Sequence, residues 1–156
     1  MKKSLFAFAA LAALAACGQS ADQTAAQAPA VQLYALDCGR ISISDAGMFA
    51  DDGSLNGQAR EVVDPCFLIR HPEGDLLWDA GLPDGVADAP DGQVVNGPFT
   101  LRVTNRLADQ LAQLQLTPAD IEFVSISHSH FDHVGNAALF TASTWLLDAD
   151  ERAWMF

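Results

Sequence analysis

Short apolar stretches separated by Gly, Pro and Asp set the rhythm of this chain, after an opening of a different kind. Lys2 and Lys3 precede an unbroken apolar run over residues 5–16, and residues 18–30 are small, polar and aperiodic. From Val31 onward the pattern predicts strands alternating with short helices. Residues 31–36 alternate loosely and predict a first strand, and 41–43 a short second one after Gly39-Arg40. Residues 44–64 are polar, with three glycines, and predict a long loop: either a flap bordering a substrate pocket or a plain surface loop. Two apolar runs, 65–70 and 76–79, flank Pro72 and Gly74 and predict a hairpin. His71 opens that turn and reads as a surface residue rather than a ligand. Residues 85–99 hold two prolines and three glycines and predict a second loop. Leu107, Leu111 and Leu114 then fall at i, i+4 and i+7, an amphipathic helix over 105–114 with its leucines in the core. Thr117 caps a turn that begins at Pro118 and delivers the chain into a buried strand over 121–126. A short helix (137–140), a strand (144–147) and a helical pattern (148–156) follow, and no internal repeat is present.

The opening changes the picture of where the protein works. Two lysines before an apolar run too short to span a bilayer describe a secretion signal over 1–16. Leu14-Ala15-Ala16-Cys17 has the form of a bacterial lipobox, so Cys17 is expected to be lipidated. Residues 17–30 then serve as a flexible spacer, and residues 31–156 form the folded domain. The protein is expected in the bacterial envelope, facing the periplasm. Outer-membrane anchoring is favoured because Gly18 gives no inner-membrane retention signal. The formal charge is −12, and losing Lys2 and Lys3 makes the remainder more acidic still, which argues against nucleic acid as a partner. Cys38 and Cys66 remain as a pair, either disulfide-bonded in an oxidising compartment or two small buried thiols.

Chemistry concentrates in Ser127-His128-Ser129-His130-Phe131-Asp132-His133-Val134-Gly135-Asn136, which holds three of the chain's four histidines. Imidazole and carboxylate at this density suit a transition metal such as zinc. On an extended segment His128 and His130 point to one side and can reach one ion, while Asp132 and His133, past the turn, can reach a second.

The His-x-His-x-Asp-His pattern resembles the signature of the metallo-β-lactamase superfamily. Three further features are most similar to its N-acyl homoserine lactonase family: the opening Leu-Tyr-x-Leu-Asp-Cys-Gly, the Pro-Cys-Phe-Leu-Ile strand and Ser-His-x-His-Phe-Asp-His-Val-Gly-Asn. The resemblance implies an α/β (α+β) fold, the N-terminal half of a four-layer αββα sandwich. It also implies two divalent ions, most simply zinc, with His128 and His130 on the first and Asp132 and His133 on the second. Asp132 would in addition shuttle a proton to the leaving alkoxide, and Asp79, in an Asp-x-Gly turn, would pack beneath the metal loop and orient its ligands. The implied reaction is hydrolytic opening of a lactone or similar ester. In that family the other half of the sandwich supplies a third histidine, a bridging aspartate and a final histidine, and no histidine follows His133 here. The expectation is therefore a fragment of a longer enzyme, with an apolar sheet face left open and little activity alone. Other readings are a different hydrolase of the superfamily (β-lactamase, glyoxalase II-like thioesterase or phosphodiesterase) and a non-catalytic metal-binding lipoprotein.

Overall fold

A computed structural model describes residues 30–95 and 97–156. The signal segment, Cys17 and most of the spacer lie outside them. Seven strands form one mixed sheet: β1 (Gln32–Ile43), β2 (Arg60–Arg70), β3 (Leu76–Trp78), β4 (Gln93–Val95), β5 (Phe99–Arg102), β6 (Phe123–Ser125) and β7 (Thr144–Leu146). The spatial order is β4-β5-β1-β2-β3-β6-β7. From β4 to β3 neighbouring strands pair antiparallel, whereas β3–β6 and β6–β7 pair parallel. Three short helices decorate it: α1 (Leu107–Gln113), α2 (Phe131–Val134) and α3 (Ala149–Met155). No helix among the described residues is long and apolar enough to cross a membrane.

Three predicted boundaries move. The two strands expected over 31–36 and 41–43 are one strand, β1, carrying an irregularity between Asp37 and Arg40. Asp37 faces Pro65 and Arg40 faces Val63, so Cys38 and Gly39 together stand opposite Asp64 alone. That count is a β-bulge, which bends the strand without ending it. Next, the loop expected over 44–64 stops at 59, because Arg60–Asp64 continue β2. Their charges hid the pattern, although Val62-Val63 is a β-branched pair of the kind strands favour. Finally, the loop expected over 85–99 contains a hairpin: β4 pairs β5, with Val94 opposite Thr100 and Val95 opposite Phe99. The hairpin over 65–79, the capped turn at Thr117 and the strand leading into the histidines form close to their expected positions.

Alternation along the strands decides which face is covered. Leu36, Cys66, Leu68, Leu77 and Val124 point to one face and are buried beneath Leu107 and Leu111 of α1. A second cluster gathers Ile41, Ile43, Leu82 and Leu101 at the far end of β1. Burying a leucine or isoleucine side chain contributes about 1.5–3 kcal/mol, so these two clusters dominate the fold's stability. The opposite face is largely open: Leu33, Val63, Trp78 and Leu146 are exposed. Cys38 and Cys66 are bonded, closing a buried bridge between β1 and β2.

α1 begins without a cap of its own at Arg106. Asp84 supplies one from a distance, its carboxylate accepting the amides of Leu107 at 2.8 Å and Ala108 at 3.2 Å. Gln110 on the same helix bonds both the amide and the carbonyl of Asp37, pinning the bulge of β1. Asp84 thereby ties the segment after β3 to α1.

Candidate metal centre

The histidine segment follows β6 and faces the turn that follows β3, at the carboxyl ends of two parallel neighbours. Open sheets place ligand sites at such ends. Two tight passages bring the segments together. Gly81 has φ of +61°, and a side chain there would collide with the bridged Cys38. Gly135 packs its bare Cα against the Gly81 carbonyl and the Pro83 backbone, leaving no room for a methyl group. The Gly135 amide donates to Gly81 O at 2.8 Å, and the Ala80 amide to His133 O at 2.9 Å. Asn136 completes the lacing. Its buried side chain donates to the carbonyls of Ala80 (2.9 Å) and Leu82 (2.8 Å) and accepts the Asp84 amide at 2.8 Å.

Asp79 is buried beneath the loop with φ of +62°, a left-handed conformation that Asp tolerates better than most residues. One carboxylate oxygen accepts the Ser127 amide at 2.7 Å. The other accepts the Ser127 hydroxyl at 3.1 Å and stands 2.9 Å from Nδ1 of His133. The carboxylate thus sits against one ring nitrogen of His133, while Nε2 lies on the side of Asp132. The Ser127 hydroxyl also lies 3.1 Å from Nδ1 of both His128 and His133, linking the two rings through one oxygen.

The three imidazoles gather closely. The rings of His128 and His130 are 4.4 Å apart between centroids, and those of His128 and His133 are 4.2 Å apart. His133 Nε2 faces a carboxylate oxygen of Asp132 at 3.6 Å. Two donors held about 2.1 Å from a tetrahedral zinc lie about 3.4 Å apart, so this pair fits one ion. Among the described residues, no three His, Cys, Asp or Glu side chains converge on a common point as a complete metal site would. The donor pair set at such a separation is His133 with Asp132. His71 stands away from them at its turn, accepting the Glu73 amide on Nδ1 at 3.1 Å.

Two carboxylates belong to this neighbourhood that sequence reasoning passed over. Asp64, opposite the bulge, is buried and accepts the Leu82 amide at 3.0 Å. Burial pushes its pKa up to about 6, with the charge of Asp132 adding and His133 and the Leu82 amide opposing. The β-branched Val62-Val63 just before it was the available signal. Glu151 on α3 accepts the Ser129 amide at 2.6 Å. The hydroxyl and amide of Ser129 beside it hold its carboxyl below the usual range, with His128 and His130 contributing. The Ser129 hydroxyl is buried and has no well-aligned partner among the described residues. No local signal announced Glu151, because its partner lies 22 residues upstream.

An apolar cleft of about 660 Å³ opens beside the histidines. Its far wall comes from residues 44–59, where Asp45 caps a 3-10 turn (Ala46–Phe49) and accepts the amides of Gly47 (2.8 Å) and Gly57 (2.9 Å). Met48, Phe49 and Leu55 on this segment face Ile41 and Phe99, and His130 and Asp132 stand at the other end of the cleft. Phe49, Phe99 and Phe131 form a chain of aromatic contacts, with centroids 6.4 and 6.3 Å apart, from that wall to the metal loop.

Residues 60–149 match the family model described as the metallo-beta-lactamase superfamily. The chain is 31% identical over 131 residues to the N-acyl homoserine lactonase AttM of Agrobacterium fabrum, covering 81% of this chain and 49% of that protein. It is 25% identical over 125 residues to N-acyl homoserine lactonase AiiA of Bacillus thuringiensis subsp. kurstaki, covering 77% and 49%. A solved N-acyl homoserine lactone hydrolase, with its product N-hexanoyl-L-homoserine at the catalytic metal center, superposes with a TM-score of 0.63 at 25% identity. That match covers 80% of this chain and 51% of the other. The chain thus spans about half the length of the curated relatives it matches.

Proposed function

The chain belongs to the metallo-beta-lactamase superfamily, and on that premise we propose that it is the N-terminal part of a metal-dependent hydrolase that opens lactones bearing an apolar acyl chain. The observation that carries the substrate class is the apolar cleft ending on His130 and Asp132. A hydrophobic tail fits among Phe49, Phe99 and Ile41, and a polar head then meets the imidazoles and the carboxylate. The relatives named for N-acyl homoserine lactones point the same way.

In this reading His128 and His130 hold one divalent ion, and Asp132 and His133 a second, with zinc suited to the nitrogen and oxygen donors. When bound, such a pair of ions lowers the pKa of a water and polarises the ester carbonyl. The chain's own residues supply the rest. Asp79, 2.9 Å from Nδ1 of His133, orients that ring and leaves Nε2 on the side of Asp132. Asp132 stands where the cleft meets the histidines, placed to pass a proton to the departing alkoxide. Phe131, its ring packed toward Phe99, continues the aromatic wall of the cleft up to the metal loop. We also propose that residues 1–16 are a cleaved signal, that Cys17 carries the lipid, and that residues 31–156 are the folded part, held at the periplasmic face of the envelope.

The test is turnover by the whole protein, loaded with zinc, on a series of N-acyl homoserine lactones beside a β-lactam, a thioester and a phosphodiester. Lactone hydrolysis should dominate, rise with acyl length, and fall at least about a hundredfold in His130→Ala and Asp132→Ala. Preference for any of the other three classes would overturn the substrate assignment.

A further inference from the structure

α3 contributes a side chain to the loop that its own position in the sequence does not suggest. Asp148 caps the helix, accepting the amides of Asp150 at 2.8 Å and Glu151 at 3.2 Å, which fixes the first turn. From that turn Glu151 reaches across to the metal loop, and its Oε1 accepts the Ser129 amide at 2.6 Å. Ser129 is the single residue between His128 and His130. The carboxylate therefore sits against the backbone that joins the two imidazoles. It makes no ion pair with an Arg or Lys among the described residues, so its charge is directed at the loop alone.

We propose that Glu151 is a positioning residue for the His128–His130 pair, holding the intervening amide so that both rings stay on one side and adding a negative charge that strengthens their grip on a divalent cation. The inference rests on the reading of those two histidines as metal ligands. Its physical basis is twofold. A charged acceptor on a backbone amide is about twice as strong as a neutral one, so the loop is held extended at the point where straightness matters. A carboxylate near two ligand imidazoles also favours a cation between them, an attraction moderated by solvent because Glu151 is not buried. Groups that orient metal ligands in this way are worth about 10–100-fold in metal affinity.

The experiment compares the protein with E151Q, E151A and D150N, each titrated with Zn²⁺ against a chromophoric chelator and with Co²⁺ followed by its visible spectrum. E151Q keeps an oxygen acceptor for Ser129 and removes the charge, whereas E151A removes both. D150N neutralises the adjacent carboxylate of the same helix. About tenfold weaker zinc binding is expected in E151Q. E151A should bind at least as weakly and show an altered Co²⁺ spectrum, while D150N stays within about twofold of the parent. Thermal unfolding of each variant separates lost affinity from lost fold. Parent-like affinity in both E151Q and E151A would overturn the role of Glu151 alone. A parent protein that binds neither ion in a manner dependent on His128 and His130 would overturn the ligand assignment with it.

Discussion

Replacing Asp64 by asparagine should stabilise the metal-free protein at neutral pH. Asp64 is buried at 5% exposure, and its pKa stands at about 6 against an ordinary 3.8. The folded state therefore holds the proton more tightly than the unfolded chain does. Stability from this group is fully present below about pH 4 and is lost as pH rises through about 6, where the buried carboxyl must ionise close to Asp132 and Asp79. Two pKa units correspond to about 3 kcal/mol, an upper figure because relaxation and water entry around the ionised carboxylate soften the cost of burying it. The D64N side chain keeps an oxygen for the Leu82 amide and never ionises. Urea unfolding in EDTA, followed by tryptophan fluorescence at pH 4, 5, 6 and 7, reads the difference between variant and parent, so other titrating groups cancel. That difference should be near zero at pH 4 and reach about 2–3 kcal/mol in favour of D64N at pH 7. A difference that does not change with pH, or a variant less stable at pH 7, would refute the reasoning. Zinc should narrow the gap, since a cation near Asp132 and His133 favours the ionised carboxylate. The carboxylate would then cost stability only in the protein without metal, a trade common at functional sites.

Two more outcomes follow from the placement of single residues. Asn136→Ala strips three hydrogen bonds from the buried lacing between the turn after β3 and the metal loop. It should lower stability by about 3 kcal/mol in the same urea assay, and a loss under about 1 kcal/mol would show that the lacing is redundant. Cys17→Ser should abolish incorporation of labelled fatty acid and release the protein from the membrane fraction of its source cells. Labelling that persists in the variant would remove the lipid anchor from the proposal.

The parts of this molecule that were legible in its sequence are those in which local chemistry and tertiary role coincide. Leucines 107, 111 and 114 announce a helix face whose burial under the sheet needs nothing else. Pro72 and Gly74 announce a turn, and the histidine spacing announces rings that gather, since those of His130 and His133 both lie within 4.4 Å of that of His128. What stayed hidden depends on partners far along the chain. Asp84 looks like a residue in a Pro-Asp-Gly turn, yet its carboxylate caps a helix more than twenty residues away. Arg60–Asp64 looks like loop because its charges interrupt the apolar pattern, yet β1 pairs with it across a bulge. Asp64 alternates with Cys66 and Leu68 along β2, so its side chain turns to the covered face, against Leu82 and the base of the metal loop. A motif search finds side chains that bind. The residues that hold them in place, Asp64, Asn136 and Glu151, take their meaning from backbone amides at positions 82, 84 and 129, and amides carry no signature in a sequence.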